Sequence, residues 1–242
     1  LAQINHATRL IILNSPANPT GGVVPRAEMD KLVAGLEQFP HLAILSDEIY
    51  SRMTYDRMHH VSLLSYPSIR DRLIVLDGWS KTYAMTGWRL GWGLWPDELI
   101  ELAGRMAVNM HSCVNAATQY AGIQALTGPQ DAVEQMMEAF DERRRVIVDG
   151  LNSLSGVRCV RPQGAFYAFA NIHCTGMTAR EVQDGLLEDA GVATIAGTSF
   201  GNGGEGFVRF SYANSTENIE KAIERFGNRN GKSQSSAGNR KL

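Results

Sequence analysis

Three short apolar runs, each ending in a polar cluster, constrain the fold of this chain more than any other feature. Leu10–Leu13 runs into the turn-rich stretch Asn14 to Gly22, Leu42–Leu45 into Ser46-Asp47-Glu48, and Leu73–Leu76 into Asp77-Gly78-Trp79-Ser80-Lys81. Runs of four apolar residues bounded by turn formers suit buried strands rather than helices. Between the first two lies a helical pattern, with Met29, Leu32, Val33 and Leu36 on one face. Strand, helix and strand in this rhythm predict an α/β fold built on a largely parallel sheet, with Leu90–Leu94 as a fourth strand.

Helical pattern then dominates from Pro96 to Leu154, interrupted at Gly128-Pro129, with Glu142–Arg145 expected on the exposed side. After Leu154 the character changes. Gly164–Ala170 and Phe207–Tyr212 are expected as strands, Ala179–Ala190 and Thr216–Phe226 as helices. The expected division is a large domain over 1–145, a smaller α+β domain over 146–228, and a disordered tail over 229–242, where Asn, Gly, Ser, Lys and Arg offer no apolar face.

Composition excludes several classes. The 242 residues are 44% hydrophobic and 20% charged, with a net charge of −2, which gives no reason to expect nucleic acid or an anionic membrane as partner. The apolar runs are far too short to span a bilayer. Cys113, Cys159 and Cys174 are scattered, with no CxxC pair. That argues against a disulfide framework or structural zinc and fits a reducing cytosol, and the histidines show no metal-ligand spacing.

The chemistry is expected where the strands end. In open α/β sheets ligands bind outside the carboxyl ends of parallel strands, and Asn18, Asp47 and Ser80-Lys81 each follow such a strand. A lysine there can form an imine with a carbonyl compound. An aspartate can pair with a cationic ring nitrogen, and Ser80 with Arg89 can bind a phosphate. Each feature alone has an ordinary explanation: Asn-Pro-Thr-Gly is a common turn, Asp47-Glu48 a helix cap or solvated edge, Lys81 an exposed cation. Their recurrence at successive strand ends points to the arrangement suited to pyridoxal phosphate (PLP).

The runs Ser15-Pro16-Ala17-Asn18-Pro19-Thr20-Gly21, Asp47-Glu48-Ile49-Tyr50 and Ser80-Lys81-Thr82-Tyr83-Ala84-Met85-Thr86-Gly87-Trp88-Arg89-Leu90-Gly91 resemble the class I/II aminotransferases of PLP fold type I. So do Gly164-Ala165-Phe166-Tyr167 and Gly204-Glu205-Gly206-Phe207-Val208-Arg209-Phe210-Ser211-Tyr212. The resemblance implies Lys81 as the Schiff-base lysine and proton shuttle, and Asp47 as partner of the pyridine nitrogen. It implies Asn18 and Tyr50 on the ring's phenolic oxygen, Ser80 and Arg89 on the cofactor phosphate, and Arg209 on the substrate α-carboxylate, with Asn18 beside the substrate. Alternation along Phe207–Tyr212 agrees for Arg209: Val208, Phe210 and Tyr212 share one face, and Arg209 is on the other.

The implied reaction is transamination between an L-amino acid and a 2-oxo acid, carried out by a cytoplasmic homodimer when full length. The helix containing Asn109–Gln124 and the cluster Thr198–Gly203 look most like the aspartate-type branch, although no residue is evident for a distal carboxylate. A fold type I lyase, the PLP-sensing domain of a transcription regulator, and a degenerate remnant with a structural role are the alternatives, the intact residue set counting against the last. Two departures stand out: Ala196 precedes Gly197 where a proline is usual, and the chain starts just before the Asn-Pro-Thr-Gly strand. Without the family's N-terminal segment, the chain alone is expected to be poorly soluble or inactive, with unpaired edges and uncovered apolar faces.

Overall fold

The computed structural model describes residues 1–238, which form two compact units. The first comprises residues 1–17 and 22–135, the second residues 18–21 and everything from Met136 onward. The boundary therefore falls ten residues before the expected one, inside a helix, where no linker composition could mark it. The four residues Asn18–Gly21 leave the first unit for the second.

In the first unit the strands β1 (Leu10–Asn14), β2 (Ala43–Asp47), β3 (Leu73–Gly78) and β4 (Gly91–Leu94) lie in that order. The first three are parallel and β4 is antiparallel to β3. Helix α1 (Arg26–Leu36) turns Met29, Val33 and Leu36 onto Leu42, Ile44, Leu73 and Val75, joined by Val61, Leu63 and Ile69. Each such side chain, once fully buried, contributes roughly 1.5–3 kcal/mol. Leu36 and Ile44 are completely inaccessible. Arg72 ties down the turn after α1, its Nη2 donating to Leu36 O at 3.0 Å and its Nη1 to Phe39 O at 3.0 Å.

The other face of this sheet is less covered. Ile12 on the edge strand is 64% exposed, and no residue of α2 (Asp97–His111) is buried, with Val108 and Met110 at 64% and 73%. Apolar surface of this extent favours association. Helix α3 (Ala116–Thr127) packs more closely: Trp79 Nε1 donates to Gly122 O at 3.0 Å, and a side chain at 122 would strike Leu90 and Trp79.

Helix α4 (Asp131–Ser153) carries the chain into the second unit. There an antiparallel sheet has the order β5 (Arg158–Cys159), β6 (Tyr167–Asn171), β8 (Phe207–Ser211), β7 (Ile195–Ala196), accompanied by α5 (Ala179–Ala190) and α6 (Thr216–Gly238). The two-residue strands β5 and β7 have no signal in the sequence; pairing with a longer neighbour creates them. Helix α5 starts on a Thr178/Glu181 capping box and stops at Gly191 in the left-handed region. Aromatic contacts knit this core, Phe140 stacking on Phe166 at 5.5 Å and Phe210 on Phe226 at 6.0 Å.

Two expectations need correction. The tail expected from residue 229 continues helically to Gly238, because elongating an established helix costs far less than nucleating one; residues 239–242 lie outside the described residues. Arg144, expected on an exposed face, is 1% exposed. Its guanidinium reaches Asp141 at 2.5 Å and Pro162 O at 2.8 Å, which compensates the buried charge.

All three cysteines are free, Cys113 and Cys174 exposed and Cys159 buried. Burial, only partly offset by a backbone bond from Phe169, pushes the Cys159 thiol up to about 11. Alkylation of the native protein with iodoacetamide near pH 8 is thus expected to label Cys113 and Cys174 rapidly, and Cys159 only after unfolding. Rapid labelling of all three would refute this packing.

Candidate active site

Asp47 is the last residue of β2, and the turn bearing Ser80 and Lys81 begins where β3 ends. Both therefore lie at the carboxyl ends of neighbouring parallel strands, with Asp47 in register with Leu76. Asn14 Nδ2 donates to the Asp47 carbonyl at 3.0 Å, tying the end of β1 to the same edge. The Asp47 side chain is half-buried, and its Oδ1 accepts from Ile49 N at 3.2 Å, which orients the carboxylate. Tyr50 is buried at 4% exposure, closing the turn through Met53 N to Tyr50 O at 2.8 Å.

Gly78 makes the next turn possible. A side chain there would come within 2.8 Å of Gly91 Cα and 2.9 Å of Leu90 O, so only glycine lets β3 and β4 approach this closely. Beyond it Trp79 N donates to Leu90 O at 3.3 Å, Tyr83 N to Trp79 O at 3.2 Å and Ala84 N to Lys81 O at 3.2 Å. Main-chain bonds therefore hold Lys81, and Ser80 and Lys81 are both half-buried. Arg89 is exposed, adopts a left-handed backbone with φ 55°, and donates from Nη1 to Thr86 O at 2.9 Å. Such a conformation is uncommon for a non-glycine residue. An open groove beside it is lined by Trp88, His111, Cys113, Asn115 and Thr118. His111 and Asn115 were not singled out from the sequence; nothing in their local pattern distinguishes them.

The second unit holds the remaining two expected residues. Gly21 O accepts from Gln163 N at 2.8 Å and Gly164 N at 2.9 Å, which clasps Asn18–Gly21 to the segment leading into β6. Gly21 has φ 67°, and a side chain there would meet Pro162 Cβ at 2.3 Å. This clasp brings Asn18 Oδ1 within 2.7 Å of Arg209 Nη1. Val208, Phe210 and Tyr212 are buried while Arg209 projects from the opposite face of β8, as the alternation predicts.

Two aromatic rings flank the guanidinium, Tyr167 at 4.4 Å and Phe200 at 4.9 Å. Arg209 Nε is buried without a hydrogen-bond partner. Contacts with the two rings and with Asn18 orient the guanidinium, and its Nε keeps a donor for a further acceptor. Phe200 was not among the residues identified by type. Its glycine-rich cluster drew attention, but only the fold turns its ring onto Arg209. The turn that presents it depends on glycine as well, since a side chain at Gly197 would lie 2.1 Å from Gly204 O.

Among the described residues no group of three metal-ligating side chains occurs, and no helix is long and apolar enough to cross a membrane. A parallel sheet with a lysine-bearing turn and an aspartate at adjacent strand ends, followed by an α+β unit presenting an arginine, is the architecture of PLP fold type I aminotransferases. The family model for class I and II aminotransferases matches residues 1–226, and the chain belongs to that family. It is 38% identical to an aspartate aminotransferase of Pyrococcus abyssi over 224 residues, 92% of this chain and 57% of that protein. The aromatic aminotransferase of Pyrococcus horikoshii superposes with a TM-score of 0.92 at 36% identity, covering 96% of this chain and 62% of that one. The aspartate aminotransferase of Rhizobium meliloti gives 0.90 at 35%, covering 95% and 60%. The chain thus spans under two thirds of the length of these relatives.

Proposed function

We propose that this chain is the part of a PLP-dependent aminotransferase that moves an amino group between an L-amino acid and a 2-oxo acid, with an aspartate-type substrate favoured. The observation that carries the reading is the placement of Asp47 and Ser80-Lys81 at the carboxyl ends of adjacent parallel strands in a member of this family. Relatives named for aspartate and for aromatic substrates support the class, and the aspartate names support the preference.

The residues present fit the cofactor. Asp47 is oriented by a backbone N–H on Oδ1, which presents a carboxylate suited to pairing with a ring N–H. Lys81 supplies an amine for a carbonyl, and Ser80 with the Arg89 guanidinium supplies donors for a phosphate. When bound, PLP supplies an electron sink that makes the α-proton of an amino acid removable.

The rest falls to the chain. Lys81 would hold the cofactor through its amine, and its Nζ, once free, would take the proton from the substrate Cα. Asp47 would keep the ring nitrogen protonated, and Asn18 and Tyr50 would hold the phenolic oxygen. Arg209, aligned by Asn18, Tyr167 and Phe200, would take the substrate α-carboxylate. Return of the same steps with a second 2-oxo acid gives ping-pong kinetics. The three free cysteines support a reducing, cytoplasmic location, and family membership supports a homodimer.

The test is an absorption titration of the full-length protein with PLP, followed by borohydride reduction and peptide mapping. Cofactor fixed on the peptide bearing Lys81, and a spectrum that changes on adding aspartate and recovers with 2-oxoglutarate, are expected. Cofactor fixed at another lysine would sink the assignment. Binding without any response to amino acids would leave a ligand-sensing domain.

A further inference from the structure

Behind the strand ends, on the sheet face opposite Asp47, lies a buried polar cluster that the proposed reaction does not use. Glu48 is 5% exposed. Its Oε1 accepts from Ser46 Oγ at 2.9 Å and Leu63 N at 3.0 Å, and its Oε2 lies 2.9 Å from His60 Nε2. Burial by itself would push this carboxyl up, but the bonds from His60, Ser62 and Leu63 N outweigh it and hold it below the usual glutamate value. A buried carboxylate with both oxygens filled makes a stiff anchor, because releasing either bond exposes an uncompensated charge.

The anchor is continuous with both functional turns. Glu48 N donates to Leu76 O at 2.8 Å, and Ser51 N donates to Glu48 O at 2.7 Å. Ser51 Oγ donates to Asp77 Oδ2 at 3.0 Å, and Asp77 Oδ1 accepts from Gly78 N at 2.6 Å. An unbroken path thus runs from His60 and Leu63 through Glu48 and Ser51 to Asp77 and Gly78. It starts behind the turn bearing Asp47 and Tyr50 and ends at the root of the turn bearing Ser80 and Lys81.

We propose that Glu48, acting through Ser51 and Asp77, is a positioning residue that holds the 47–50 turn and the 78–81 turn in one register. A catalytic constellation tolerates errors of only about 0.5 Å, and Asp47 shares its backbone with Glu48 while facing the other way. The catalytic importance of the coupling rests on the roles proposed for Asp47 and Lys81; the mechanical coupling itself does not.

Amide hydrogen exchange on the protein without cofactor tests it, using Glu48→Gln and Ser51→Ala. Glutamine keeps the shape but removes the charge, so the charge-assisted bonds from Leu63 N and His60 are weakened. Exchange is expected to rise about tenfold in peptides covering both 48–53 and 78–84 in each variant, with α1 unchanged. An ordinary structural role predicts acceleration confined to 59–65, or spread evenly through the unit. Either pattern, or 78–84 exchanging at the wild-type rate, overturns the proposal. Ser51→Ala removes a single hydroxyl and keeps the test valid if Glu48→Gln does not fold. Failure to bind PLP would count against the proposed function and leaves this readout intact.

Discussion

Replacing Lys81 by alanine is expected to abolish covalent attachment of PLP and to lower transamination by at least about 1,000-fold, while leaving the fold unchanged. Two functions disappear together, the amine that holds the cofactor and the base that moves the substrate proton; the second alone accounts for roughly 10²–10⁴ in rate. The fold survives because main-chain bonds hold the turn: Tyr83 N to Trp79 O and Ala84 N to Lys81 O do not involve the side chain. Lys81→Arg sharpens the result, since it keeps a positive charge but cannot form an imine. Borohydride trapping and circular dichroism on the same samples separate the outcomes. A variant that is folded, still labelled by reduction, and active would remove Lys81 from the mechanism.

The second large effect is expected at Arg209. Arg209→Ala should raise KM for the amino acid roughly 100-fold, about 2.8 kcal/mol, with a smaller fall in kcat. Loss of a charge-assisted carboxylate contact explains the magnitude, and pre-alignment explains why lysine should not rescue it. A lysine ammonium has no planar face to lie against the rings of Tyr167 and Phe200, and no second edge for a carboxylate once Asn18 occupies the first. Val208, Phe210 and Tyr212 keep their buried face, so β8 should remain folded. Asp47→Ala is expected to act differently, slowing proton transfer and so lowering kcat, because it changes the cofactor's electronics. Matching kcat and KM profiles for the two variants would refute the division of labour.

Much of this was legible from local sequence. The runs Leu10–Leu13, Leu42–Leu45 and Leu73–Leu76 became parallel strands, and the spacing of Met29, Val33 and Leu36 became the buried face of α1. These follow from periodicities of two and 3.6, which covalent geometry imposes. Side-chain alternation also placed Arg209 off the core face of β8. For the same reason Asp47 and Lys81 could be located: a residue immediately after a parallel strand can only be at its carboxyl end.

What surrounds those residues was not legible. Nothing near Glu48 announces that His60 and Leu63 N will fill its carboxylate, and nothing near Arg144 announces Pro162 O. The sequence determined the strands, the helices and the chemical identity of the residues at the strand ends, because those depend on neighbours within a few positions. Only the tertiary structure decided that Asn18 leaves the unit that flanks it and meets Arg209, 191 residues away, beneath the ring of Phe200. Such a contact is fixed by the clasp at Gly21 and by the packing of whole elements, and a chain's local pattern carries no record of either.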